Sequence, residues 1–128
     1  MVGMFHLRDI KKKYEDQVDF VLVYISEAHP ANTGHVQWSS KKDSDIYALE
    51  DHTRLEDRID AAEILQETAG ENWKILIDDM DNQACHDYGA HPERIFVIRN
   101  GLVDFVGTVV VENGFDTVAF EKHLKKIL

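Results

Sequence analysis

Two short apolar runs constrain the fold of this chain more than any other feature of its sequence. The first, Val18–Ile25, is rich in β-branched and aromatic residues, and the second is Lys74–Ile77. Runs of this length and composition are typical of strands that are buried on both faces of a parallel sheet. We therefore expect an α/β fold in which helices cover a small, mainly parallel sheet.

Apolar residues recur at helical spacing before the first run and again between the two runs. Thr53 and Glu56 fit a capping box that starts the middle helix, and Gly70 is a suitable stop. A brief helix is expected after the second run, where Asp81 or Asn82 can cap it. The pattern thus alternates helix and strand through the first two thirds of the chain.

The C-terminal third carries a hairpin signal. Asn100-Gly101, the strongest two-residue hairpin signal, separates the strand-like segments 94–98 and 102–111. A last amphipathic helix can begin at Asp116 or Thr117. A parallel part that is closed by an antiparallel hairpin and a final helix is the arrangement of the thioredoxin-like fold. That fold normally opens with a strand, whereas this chain opens with a helix.

Length and charge limit the class of protein. A chain of 128 residues fits one domain, spanning residues 1–128, and it can bury a real core. A net charge of −10 disfavours nucleic acid and anionic membrane as partners. The sequence contains no apolar stretch that could span a bilayer and no secretory signal, so we expect a soluble, cytoplasmic chain. The single cysteine, Cys85, excludes an internal disulfide or a multi-cysteine zinc site, and we expect it to be inert.

Glu27 and His29 follow the first predicted strand and are two residues apart. If the chain stays extended there, both side chains point the same way, at the strand end where α/β folds place their sites. A carboxylate beside an imidazole can relay a proton. The alternative is that both are exposed loop residues.

His52 and Arg94 each have two readings from pattern alone. His52 stands at the mouth of the middle helix and is either a ligand contact or a surface histidine. Arg94 precedes a strand and either pairs with a carboxylate of the protein or clamps an anionic ligand. The His91-Pro92 peptide just before it is a possible cis-proline site. The histidines show no metal-binding spacing, so we expect no metal.

Four ordered segments give the chain a family resemblance that covers nearly its whole length. They resemble hallmark segments of the iodothyronine deiodinases, thioredoxin-like selenoenzymes that remove iodine reductively from thyroid hormones such as thyroxine. The segments are FVLVYISEAHP at Phe20–Pro30, HTRLEDR at His52–Arg58 with Ala61-Ala62 following, DMDN at Asp79–Asn82 and YGAHPER at Tyr88–Arg94.

The resemblance implies a role for each site residue. Glu27 and His29 match the glutamate and histidine that relay the proton to the ring carbon losing iodine, and Tyr24 matches a tyrosine that lines the same site. His52 and Arg94 match the pair that clamps the iodothyronine at its phenol end and at its carboxylate. A thiol reductant would be the co-substrate, with no other cofactor. The substrate would be an iodothyronine or another halogenated phenol, and a homodimer is possible.

The resemblance also has departures. The selenocysteine nucleophile of the family would fall just before Met1, so we expect a chain truncated after that position, without the first, central strand of the fold. A gene model that reads the UGA codon as a stop would give such a start. The membrane anchor of the full-length family is also absent from these residues. The strands at Val18–Ile25 and Lys74–Ile77 would then flank a gap or pair directly.

Two alternatives to a deiodinase fragment stay open. The first is a redox-silent, thioredoxin-like binding module. The second is a protein similar to a thiol peroxidase that has lost its peroxidatic cysteine.

Overall fold

The computed structural model describes residues 2–28, 50–70, 72–110 and 114–128. The chain divides into two compact units: unit 1 is Met1–Phe20 with Glu93–Leu128, and unit 2 is Val21–Pro92. In chain order the elements of the described residues are α1 (Val2–Tyr14), β1 (Val21–Tyr24), α2 (Leu55–Ala69), β2 (Lys74–Ile77), α3 (Gln83–Tyr88), β3 (Phe96–Arg99), β4 (Leu102–Val106), β5 (Val109–Val110), β6 (Gly114–Phe115) and α4 (Thr117–Ile127). The molecule is thus a mixed α/β protein, and the assignment of residues 1–128 to a single domain stays a prediction.

Unit 2 is built on the two apolar runs. β1 and β2 pair directly and in parallel, in register from Val21 opposite Lys74 to Tyr24 opposite Ile77. The expectation that both faces of these strands are buried is wrong, because Val21 and Val23 are 44% and 47% exposed. Burial alternates along each strand, so one face of the pair is more exposed than the other, and α2 packs against β2.

α2 begins one residue later than the predicted capping box. Asp57, and not Glu56, reaches back to the chain before the helix, where its Oδ2 accepts from the backbone N–H groups of Thr53 (3.2 Å) and Arg54 (3.0 Å). A carboxylate at this position satisfies amides that the helix leaves without an internal partner. The predicted stop is confirmed, because Gly70 follows the helix with φ at 104°.

The brief helix α3 is held at its start by a buried carboxylate from the end of β2. Asp78 accepts from the backbone N–H groups of Ala84 (3.0 Å) and Cys85 (2.9 Å). Asn82 precedes the helix with φ at 56°, in agreement with the predicted start. Cys85 is buried, which fits the expected inert thiol.

Unit 1 contains the predicted hairpin. β3 and β4 pair antiparallel around Asn100 and Gly101, whose φ angles of 54° and 76° are those of a type I′ turn. β4 ends at Val106, before the predicted limit of 111, although the N–H of Gly107 still donates to the carbonyl of Ile95 on the facing segment (2.7 Å). A separate short pair, β5 with β6, follows it.

α4 supplies the centre of the core of unit 1. Asp116 caps it as predicted, because its Oδ1 accepts from the N–H of Ala119 (2.9 Å). Leu124 is 0% exposed and Phe120 is buried on the same face. The Phe120 ring meets Phe20 edge-on, with 6.5 Å between the ring centroids. The predicted apolar face of the last helix is therefore confirmed.

The carboxyl group of Glu93 makes the free energy of unfolding depend on pH. Burial raises the pKa of its carboxyl above the ordinary value. As the pH rises through the interval between the ordinary and the raised pKa, the unfolded chain releases this proton more readily than the folded chain, so stability is lost. We therefore expect Glu93→Gln to raise the Tm at pH 7 by about one to three degrees and to leave it unchanged at pH 3.

Thermal unfolding followed by circular dichroism at both pH values measures this. Glu67→Gln, at an exposed position of α2, is the matched control. A Glu93→Gln variant that is less stable than the parent at pH 7 would contradict the prediction.

Candidate active site

A tyrosine–carboxylate pair lies at the C-terminal end of β1. Tyr24 is the last residue of the strand, and its hydroxyl donates a hydrogen bond to Oε1 of Glu27, three residues further on. Both side chains are partly buried. This is the strand end at which α/β proteins place their sites, so the sequence-based position of Glu27 agrees with the structure.

The environment of Tyr24 keeps its phenol protonated. Burial is the main cause that raises the pKa of Tyr24 far above its ordinary value, and the hydrogen bond to the Glu27 carboxylate adds to the rise. The Arg58 guanidinium opposes the rise without cancelling it. Tyr24 is therefore protonated at physiological pH and acts as a hydrogen-bond donor, with Glu27 as its acceptor.

His52 packs on the same tyrosine. The two ring centroids are 5.9 Å apart, and the ring planes are inclined by 38°. Both ring nitrogens of His52 are buried, and neither has a hydrogen-bond partner within the described residues. Buried polar atoms without partners cost free energy, so this imidazole is suited to binding a polar group of a ligand.

A cleft of about 410 Å³ opens beside His52. Its wall includes four acidic side chains, Glu50, Asp51, Asp57 and Asp60, together with the cationic side chain of Arg54. Ala61 and Ile64 of α2 give it an apolar side. The cleft is large enough for one aromatic ring with its substituents.

Arg58, for which sequence analysis gave no role, braces this part of unit 2. Its guanidinium donates from Nη1 to the carbonyl oxygens of Asp78 (2.9 Å) and Asp79 (2.7 Å), and from Nη2 to Oδ1 of Asn82 (3.0 Å). Two of the four family-like segments, His52–Arg58 and Asp79–Asn82, therefore meet here. The sequence offered one indication of this role: Arg58 is the last residue of the family-like segment His52–Arg58.

Comparison with known proteins identifies the family of this chain. The family model for iodothyronine deiodinase matches residues 1–120. The chain belongs to the iodothyronine deiodinase family. The resemblance found in the four sequence segments is thereby confirmed.

Three relatives show the extent of the similarity to this family. Thyroxine 5-deiodinase of Sus scrofa is 37% identical over 107 residues, which cover 84% of this chain and 33% of the relative. The Homo sapiens enzyme of the same name is 36% identical over 107 residues, with the same coverage. That of Sparus aurata is 37% identical over 109 residues, 84% of this chain and 38% of the relative. The chain thus spans about a third of the length of the curated relatives it matches.

The structure brings together three of the five site residues that the deiodinase resemblance implies. Tyr24, Glu27 and His52 lie within unit 2 and are linked through Tyr24. His29 lies outside the described residues. Arg94 is exposed, belongs to unit 1 and follows the His91-Pro92 peptide, which is cis as its sequence suggested. The convergence of His29 and Arg94 on the same crevice stays a prediction.

Two further expectations concern metal and membrane. Across residues 2–28, 50–70, 72–110 and 114–128, no group of three or more histidine, cysteine, aspartate or glutamate side chains is placed to hold a metal ion. None of the described helices has the length and apolar character required to cross a bilayer.

Proposed function

We propose that this chain carries the iodothyronine-binding and proton-relay part of a deiodinase active site, which serves the reductive removal of iodine from iodothyronines such as thyroxine. The observation that carries the proposal is the contact between the His52 ring and a hydrogen-bonded tyrosine–carboxylate pair in a member of this family. The buried ring nitrogens of His52 have no hydrogen-bond partner among the described residues. His52 binds the phenol end of the substrate, and Tyr24 with Glu27 handles the proton.

Reductive deiodination exchanges a carbon–iodine bond for a carbon–hydrogen bond. An anionic nucleophile takes the iodine from the ring, and the ring carbon takes a proton in its place. That proton comes from the His29 imidazolium and is relayed by the Glu27 carboxylate, which the Tyr24 hydroxyl orients. A thiol reductant then releases iodide and becomes a disulfide, so that no other cofactor is needed.

The nucleophile itself is not supplied by the described thiol. The sequence contains one cysteine, Cys85, and its side chain is buried, so it cannot reach a substrate in the cleft. The resemblance implies a selenocysteine for this role. The relay of unit 2 would serve such a nucleophile, while Arg94 would hold the carboxylate of the substrate through a bidentate pair.

The fold proposed for the site is thioredoxin-like. Parallel pairing of β1 with β2, the β3–β4 hairpin and the C-terminal helix α4 support it. In that fold the active centre lies at the C-terminal ends of the parallel strands, and Glu27 follows such an end.

Thyroxine binding tests the first half of the proposal. The 128-residue chain should bind thyroxine in isothermal titration calorimetry, and His52→Phe should weaken the binding about 10- to 100-fold, because a hydrogen bond to a charged group contributes roughly 1.5–3 kcal/mol. His86→Phe, at an exposed position of α3, is the matched control and should bind as the parent does. Equal binding by the parent and His52→Phe would contradict the assignment.

Iodide release tests the second half. We expect a chimera, in which this chain replaces the matching stretch of Sus scrofa thyroxine 5-deiodinase, to release labelled iodide from thyroxine with dithiothreitol. The 128-residue chain alone should release none, because Cys85 is buried. Thyroxine binding without turnover of the chimera would favour the alternative of a redox-silent binding module.

A further inference from the structure

Arg58 is a buried charged side chain that the proposed chemistry does not use. It is 2% exposed, and its hydrogen bonds end on two backbone carbonyls and one side-chain amide, all of which are neutral. Within the described part of the chain no carboxylate forms an ion pair with it, and its Nε has no hydrogen-bond partner. Burying a guanidinium without a counter-charge costs free energy, so hydrophobic burial does not explain its presence.

The three acceptors place Arg58 between the segment that carries His52 and the loop that is hydrogen-bonded to Tyr24. They all belong to the loop between β2 and α3, and the backbone N–H of Asp78 in that loop donates to the carbonyl of Tyr24 (2.8 Å). On the other side, Arg58 lies in the first turns of α2, which begins three residues after His52. One guanidinium therefore connects the segment that presents His52 with the segment that is bonded to Tyr24.

We propose that Arg58 is a positioning residue for this site: its forked hydrogen bonding fixes α2 against residues 78–82 and so holds the His52 ring on Tyr24. The role depends on the fork rather than on the charge, because all three acceptors are neutral. A lysine at this position would keep the charge and lose the rigid spacing of the two donor nitrogens. That this positioning serves catalysis rests on the proposed function. That Arg58 positions the His52 ring on Tyr24 does not rest on it.

Nuclear magnetic resonance of the 128-residue chain, without ligand, tests the inference. The His52 ring signals are identified by their loss in His52→Phe. The Tyr24 ring lies close to the His52 ring and shifts its signals. Tyr24→Leu therefore gives the signal positions that are expected without this contact. Arg58→Lys should move the His52 signals most of the way to those positions, and it should weaken thyroxine binding about tenfold.

Two control variants distinguish an effect of the Arg58 hydrogen-bond geometry from an effect of local charge and from a general effect of an arginine-to-lysine change. Asn82→Asp keeps an acceptor oxygen for Nη2 but sets a negative charge beside Arg58, and we expect it to leave the His52 signals in place. Arg99→Lys makes the same chemical change at an exposed arginine of the hairpin, and it should also leave them in place. If Arg58→Lys does not fold, Asn82→Gly removes one acceptor without strain at φ 56° and should move the signals in the same direction, by less.

The inference is overturned if Arg58→Lys folds with unmoved His52 signals, because the arginine is then structural only. It is also overturned if Asn82→Asp moves them as far as Arg58→Lys does, because charge is then decisive. If Arg58→Lys does not fold, unmoved signals in Asn82→Gly overturn it. Failure of the parent chain to bind thyroxine would instead overturn the proposed function and leave the signal shifts intact.

Discussion

Replacement of Glu27 by glutamine should lower the rate of iodide release from thyroxine by roughly 10²–10⁴ in the chimera, which is the usual contribution of a positioned general acid or base. Glutamine keeps an oxygen that can accept from the Tyr24 hydroxyl, so the local packing is retained. It cannot exchange a proton, so the relay is interrupted. Because proton delivery matters in the transition state, kcat should fall while KM changes little.

Steady-state measurement of labelled iodide against thyroxine concentration gives both constants. Glu63→Gln, at an exposed position of α2, is the matched control and should retain the activity of the parent chimera. If the Glu27→Gln chimera keeps the kcat of the parent chimera, Glu27 is not part of the proton relay. A rise in KM alone would instead make Glu27 a binding residue.

Leu124→Ala should lower the free energy of unfolding by about 2–5 kcal/mol, the range observed for large-to-small changes in cores. Leu124 is 0% exposed, on the face of α4 that also buries Phe120, so the change leaves a cavity in addition to the loss of apolar burial. Close packing around this position limits how far the cavity can collapse.

Urea unfolding followed by tryptophan fluorescence and circular dichroism measures the change. Val118→Ala, on the same helix but 78% exposed, should change the stability by less than about 0.5 kcal/mol. A loss in Leu124→Ala no larger than in this control would show that α4 is not central to the core of unit 1.

Features that depend on neighbouring residues could be predicted from the sequence. The Asn100-Gly101 turn requires two residues with positive φ, and asparagine and glycine accept such angles. Gly70 ends α2 for the same local reason. The apolar face of α4 follows from helical periodicity alone. The family was also readable from the chain, because four motifs in order are specific whatever their packing.

Features that depend on distant segments came only from the tertiary structure. The apolar runs at β1 and β2 have the composition of strands buried on both faces, yet Val21 and Val23 are exposed, because burial depends on what packs on each face. Likewise, the sequence placed Glu27 at a strand end but could not show its bond to Tyr24, since that depends on side-chain direction in the segment after β1.

The sequence by itself determined the order of helices α1 to α4 and of strands β1 to β4, the main turns, the family and the residues with the chemistry of a site, but not the β5–β6 pair. Only the tertiary structure decided that His52 meets Tyr24 and that Arg58 braces the loop after β2. The physical reason is the range of the interactions. Helical period, turn angles and capping act over a few residues, whereas Arg58 bonds to atoms 20 to 24 positions away, and no local pattern specifies such partners.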